Sequence, residues 1–256
     1  MGRMFKALII VPILVIRIPA HAEGIEFQEC KSSECISYQQ PVTTKTDTLS
    51  DLYSIPSFRA VDLRQPHQSL ESLYDVAPSA QQELEDLANQ IADHVDGTVY
   101  SAGIKGEARA KQKVEGELGG DASQLTDIVR VTVEVDSVDA LTAAYAELAT
   151  STQTKEVINR FHTPRPSGYR DLKVLVALPE THMVAEVQLH LKKIADIKNG
   201  QEHEIYREIQ KIERTAALEK RELSEHEFAK INRLRQSSRA LYDQAWQTYQ
   251  PLSVAV

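Results

Sequence analysis

"RPSGYRDLKVLVALPETHMVAEVQLHL" (residues 165–191) contains two apolar runs separated by a short polar break. "DLKVLVALP" and "HMVAEVQLHL" read as two strands of a hairpin, joined by the tight connection Pro179-Glu180-Thr181. "PRPSG" ahead of them reads as a turn. In the second run, period-two alternation sets Val184, Glu186, Gln188 and His190 on one face and Val187 and Leu189 on the other. A carboxylate inside an apolar strand is expensive to bury. Glu186 therefore marks either a cleft-facing strand or a solvated face at a sheet edge.

The neighbouring segments extend the same sheet. "LTDIVRVTVEV" (residues 125–135) is rich in β-branched residues and reads as a strand with Asp127 near its start. "KEVINRFH" (residues 155–162) reads as another strand, and "TVYSAG" as a short extended link. From Ser79, Leu84, Leu87, Ala88, Ile91, Ala92 and Val95 recur at helical spacing until Gly97. "IKGEARAKQKVEGEL" and "VDALTAAYAELA" are further helices, the latter capped by Asp136 or Ser137. Downstream, residues 192–220 form a densely charged helical stretch. A capping box, Ser224 with Glu227, opens a second helix with Phe228, Ile231, Leu234, Leu241, Tyr242, Ala245, Trp246 and Tyr249 facing inward. This order predicts an α+β (mixed α/β) domain over residues 79–250, one mixed sheet flanked by helices and finished by two C-terminal helices.

A net charge of −8 argues against general nucleic-acid binding, which needs clustered cations. The N-terminus reads as an export signal over residues 1–22, with an uncleaved anchor as the alternative: Arg3 and Lys6, an apolar run from Ala7 to Ile16, then Ala20-His21-Ala22. No membrane span is expected after its cleavage, and the protein is expected to be periplasmic or secreted. Residues 23–78 show no sustained period and read as an irregular leader. Export permits Cys30 and Cys35 to form a local disulfide, with free thiols as the alternative. The chain has no Walker-type loop, GxGxxG, HExxH or GxSxG.

Cations gather around the two strand acids. Lys105, Arg109, Lys111 and Lys113 precede Asp127; Arg160, Arg165, Arg170 and Lys173 precede Glu186. Carboxylates among Lys and Arg suit a metal–polyphosphate, because Mg²⁺ takes carboxylate and phosphate oxygens while cations neutralise the remaining phosphate charge. The ordered set "IKGEARAKQKV", "LTDIVRVTV", "RPSGYRDLK" and "VAEVQLHL" resembles the synthetase domain of RelA/SpoT-type alarmone synthetases over roughly residues 80–220. The resemblance implies a nucleotidyltransferase-like fold and transfer of the β,γ-pyrophosphate of ATP to a ribose 3′-hydroxyl, giving a guanosine tetraphosphate-type product.

The resemblance also assigns roles. Asp127 and Glu186 would be the catalytic, Mg²⁺-binding pair, with Glu186 beside the acceptor hydroxyl as metal partner or base. Lys105, Arg109, Lys111, Lys113 and Arg130 would hold ATP phosphates. Arg165, Tyr169, Lys173, Gln188, His203 and Tyr206 would contact the acceptor, Tyr169 by stacking on its base. The chain departs from the family pattern at Lys173, where histidine is usual, at His190, where arginine is usual, and at Gly103, where an arginine is expected. These departures leave the acceptor open among GDP or GTP, an adenine nucleotide and an RNA end. No HD dipeptide occurs, so a second, hydrolase domain is not expected. An exported enzyme must find ATP elsewhere, which points to a secreted effector. The alternatives are an inactive nucleotide- or partner-binding module of the same fold, and an envelope interaction protein built on the charged C-terminal helices.

Overall fold

The structure, a computed structural model, describes residues 48–250. The export signal, the Cys30–Cys35 pair and the first part of the leader lie outside the described residues. Apolar alternation and turn chemistry generate six strands: β1 (Phe58–Arg59), β2 (Thr98–Ser101), β3 (Arg130–Val135), β4 (Gln153–Asn159), β5 (Leu172–Ala177) and β6 (Val184–Leu191). They form one mixed sheet in the order β1-β4-β5-β6-β3-β2. β3 and β6 run parallel, and every other pair is antiparallel.

Seven helices accompany the strands among the described residues: α1 (Thr48–Ser54), α2 (Leu70–Val95), α3 (Glu107–Glu117), α4 (Val138–Ser151), α5 (Lys192–Asn199), α6 (Gln201–Leu218) and α7 (Glu225–Gln247). None is long and apolar enough to cross a membrane. α2 and α4 pack against the sheet. The core they share with it contains Leu84, Ile91, Leu141, Val131, Val133, Val174, Val187 and Leu189. The opposite face carries Arg130 and Thr132 from β3, Glu186, Gln188 and His190 from β6, and Lys173 from β5, a set fixed by strand parity and register. α5 crosses beside β3 and β6 and packs on α7.

Several boundaries differ from the sequence expectation. Ordered structure precedes residue 79: α1 and β1 lie within the expected irregular leader, and Leu52, Ile55 and Leu63 are buried. The Asn159 amide ties α1 to β4 by donating to the carbonyls of Leu52 and Ile55 at 2.8 and 3.1 Å. α2 starts at Leu70, capped by Ser69, and runs through Pro78. It ends at Val95, two positions before Gly97, with Asp96 in the left-handed region at φ 53°. Gly97 matters for another reason: a Cβ there would sit 3.1 Å from the Glu134 carbonyl oxygen on β3. The charged stretch after β6 is broken at Gly200 into α5 and α6, a place that suits glycine, since a Cβ there would lie 2.8 Å from the Asp196 carbonyl oxygen. The Ser224–Glu227 capping box does open α7. Phe228, expected inward on that helix, is exposed, whereas Ile231, Tyr242, Ala245 and Trp246 are buried.

Candidate active site

β3 pairing begins only at Arg130, so Asp127 lies in the turn before the strand rather than on it. Two cations converge there. Lys105 Nζ donates to Asp127 Oδ2 at 2.9 Å and Lys113 Nζ to the same oxygen at 3.0 Å. Lys105 comes from the link after β2, held to the Asp127 turn by its N–H donating to the Ile128 carbonyl at 2.8 Å, and Tyr74 Oη donates to the Lys105 carbonyl. Lys113 projects from α3, next to the buried Val114. Burial pushes the Asp127 carboxyl up, but the hydrogen bonds and charges of both lysines outweigh it and hold the group below the usual carboxylate range. Its second oxygen, Oδ1, is buried without a hydrogen-bond partner.

A cavity of about 270 Å³ opens on the polar face of the sheet, lined by Ala102, Arg130, Val131, Thr132, Glu186, Gln188 and Lys198. Parallel pairing sets Arg130 opposite Glu186 and Thr132 opposite Gln188. The Gln81 side chain grips the Arg130 backbone, accepting from its N–H at 3.2 Å and donating to its carbonyl at 3.4 Å. Gln188 Nε2 donates to Glu186 Oε1 at 2.7 Å, and Lys198 Nζ donates to Gln188 Oε1 at 3.3 Å. The Glu186 N–H donates to the Val129 carbonyl at 3.1 Å, two residues after Asp127, so the Asp127 turn is bonded directly to the Glu186 strand. Of the two readings of Glu186 from sequence, the cleft-facing one fits: β6 is an interior strand, and Glu186 lines the cavity.

Behind the cavity lies a buried polar cluster. Arg160 Nη1 donates to Asp171 Oδ1 at 2.6 Å, and Tyr169 Oη donates to Asp171 Oδ2 at 2.8 Å. His190 Nε2 lies 2.8 Å from Tyr169 Oη. With the phenol proton committed to Asp171, Nε2–H is the donor to that oxygen. Burial raises Asp171, yet His190 and Arg160 overcome it and bring the carboxyl down to about 2. Burial lowers His190 more than Asp171 raises it, so the imidazole is held neutral below its ordinary range.

Tyr169 belongs to this cluster, which corrects the expectation of an open stacking platform. His190 and Tyr242 meet its ring edge-on at 5.9 and 5.7 Å. The Lys198 ammonium stands 5.6 Å from the ring centroid. Lys173 is likewise committed, with Nζ 2.7 Å from the buried Glu156 carboxylate. Arg109, Lys111 and Arg165 are exposed, and Lys111 pairs with Glu115 at 3.9 Å. His203 and Tyr206 are exposed on α6, where Tyr206 Oη accepts from Gln210. None of these five lines the cavity or joins the Asp127 cluster. Arg130, expected among the ATP-binding cations with Lys105 and Lys113, instead faces Glu186. Sequence reasoning misses Lys198, because only the way α5 folds back over β6 reveals it.

Among the described residues, no cluster of three or more His, Cys, Asp or Glu side chains is placed to hold a metal ion. The residues still fit Mg²⁺ in the form that takes one or two carboxylates and completes its shell with substrate phosphates and water. Asp127 has an unpartnered oxygen, and Glu186 has only a neutral amide on Oε1.

No protein-family model matches the chain. A stretch of 99 residues is 33% identical to the (p)ppApp synthetase toxin Tas1 of Pseudomonas aeruginosa (strain UCBPP-PA14). That stretch is 39% of this chain and 22% of the toxin's length. In structure, the chain is similar to the type VI effector Tas1 crystallised with its immunity protein, at TM-score 0.52 and 24% identity over 69% of this chain and 96% of that one. It is similar also to small alarmone synthetase 2 from Bacillus subtilis, at TM-score 0.54 and 15% identity over 70% of this chain and 92% of the other. The fold is that of the small alarmone synthetases, as the sequence resemblance implied.

Proposed function

We propose that the protein is a Mg²⁺-dependent pyrophosphokinase that moves the β,γ-diphosphate of ATP to the 3′-hydroxyl of an acceptor nucleotide. The observation that carries this reading is the pair of linked sites on one sheet. A carboxylate clamped by Lys105 and Lys113 lies in a turn bonded to the strand that presents Glu186 in a cavity. The sequence and fold likeness to synthetases supports it.

Transfer of a highly charged group is governed by positioning and charge stabilisation. Lys105 and Lys113 exchange their shared Asp127 oxygen for ATP phosphate oxygens, which frees Asp127 for the metal. Bound Mg²⁺ would neutralise phosphate charge between Asp127 and Glu186. Glu186 orients the acceptor 3′-hydroxyl and takes its proton as the oxygen attacks the β-phosphorus. The α,β-bridging bond breaks, and AMP leaves. Gln188 holds Glu186 in place through the 2.7 Å bond.

An adenine nucleotide is the acceptor favoured, since the toxin matched at 33% identity is a (p)ppApp synthetase. An exported effector role rests on the export signal expected from the N-terminal sequence and on the likeness to an effector of type VI secretion. The test is incubation of the purified protein lacking residues 1–22 with labelled ATP, Mg²⁺ and a panel of adenine and guanine nucleotides and RNA. Label transfer by the wild type, absent in Asp127→Ala and Glu186→Ala, is expected. Folded wild-type protein that binds nucleotide but transfers nothing would make it a binding module instead.

A further inference from the structure

The cavity beside Glu186 contains more positive charge than its own residues neutralise. Arg130 and Lys198 both line it, and Glu186 is the sole carboxylate among its lining residues. Neither cation forms an ion pair within 4 Å with any described carboxylate, and Arg130 Nε is buried without a hydrogen-bond partner. The Lys198 ammonium donates to a neutral amide oxygen, that of Gln188, at 3.3 Å. Burial lowers its pKa, against the more distant pull of Asp171, Glu186 and Glu134. Half-buried cations without a paired carboxylate are stabilised when a ligand supplies the missing anion.

The same lysine closes the place where an acceptor base would stack, because its ammonium stands over the Tyr169 ring at 5.6 Å. The other approaches to the ring are taken by His190 and Tyr242. A cavity of about 270 Å³ is small for a whole nucleotide and suits its ribose and phosphate end. We propose that Arg130 and Lys198 form an anion site for the acceptor's phosphate, so that this protein selects its acceptor by phosphate charge and not by stacking on Tyr169. Tyr169 then acts as a positioning residue, held by Asp171 and His190, that fixes Lys198 from below.

This inference rests on the cavity being the acceptor site, and its test reads binding, not turnover. The protein is saturated with α,β-methylene-ATP, which fills the donor site and cannot transfer its diphosphate. Adenosine and ADP, then guanosine and GDP, are titrated by calorimetry. Wild type should bind each diphosphate at least about tenfold more tightly than its nucleoside, a gap of about 1.4 kcal/mol. Lys198→Met should shrink that ratio to about threefold or less, and Lys198→Arg should restore it. Lys198→Gln serves if the Met variant does not fold. An unchanged ratio in the Met or Gln variant, or no discrimination by the wild type, overturns the proposal. If phosphate discrimination follows Lys198 while labelled ATP yields no transfer, the anion site stands and the pyrophosphokinase reading falls. If label is transferred while the phosphate preference is indifferent to Lys198, the pyrophosphokinase reading stands and the anion site falls.

Discussion

Asp127 shares one carboxylate oxygen between two lysines, and that sharing makes it exchangeable. In the proposed reaction, arriving phosphate would offer both ammonium groups a richer partner. Asp127→Asn keeps the shape and removes the charge, so transfer should fall by roughly 100-fold or more while far-UV circular dichroism stays native. Asp171 behaves differently. It is fully buried, and its loss would strand Arg160 without a counter-charge. Asp171→Asn should cost about 3–5 kcal/mol in urea unfolding, the penalty of a buried unpaired cation. His190 adds a pH signature. Its folded pKa is lowered from 6.5, so the unfolded chain takes up the proton first as pH falls. Stability should decline from about pH 6.5 towards the lower folded value. Asp171, lowered from 3.8 to about 2, contributes stability that is present above 3.8 and is lost as pH falls through about 2. His190→Gln should flatten the first decline and leave the second, as read by urea midpoints across pH.

At the scale of elements, the turn before β5 is held by α7. Gly168 has φ +84°, and a Cβ there would meet the Arg239 backbone and Tyr242 Cβ at 3.2 Å. Gly168→Ala should therefore lose about 1–3 kcal/mol from strain and contact together, visible as a lower urea midpoint. The hairpin that this turn feeds was legible in sequence, because strict alternation leaves only one register that buries Val187 and Leu189 and turns Glu186 the other way. Asp127 was legible as an acid among cations but not as a turn residue, since Ile128 and Val129 continue the β-branched run without pairing as β3. Tyr169 read as exposed because nothing local shows that α7 and His190 close around it. α1 and β1 escaped notice for a similar reason. They are too short to display a period, and what orders them is Asn159, more than a hundred residues later. Lys198 sits in a stretch whose charge density reads as a solvated helix, and its burial depends on α5 crossing β6.

Over the whole molecule, the acidic balance and the local cations divide the labour. A net charge of −8 disfavours indiscriminate binding to nucleic acid, whereas Lys105, Lys113, Arg130 and Lys198 collect at the two linked sites. The sheet makes this possible by bringing β3 and β6 side by side, in parallel, although two other strands and a helix lie between them in the chain. Long-range pairing of that kind explains why the architecture could be anticipated from four short motifs while the identity of the acceptor could not. The most direct measurement follows the labelled diphosphate of ATP through the protein without residues 1–22, with ADP and GDP offered separately in the presence of Mg²⁺. Label should move to the 3′-hydroxyl of the adenine nucleotide first, AMP should appear in equal amount, and Asp127→Ala and Glu186→Ala should abolish both. Intact, folded protein that releases no AMP and labels no acceptor would contradict the pyrophosphokinase account.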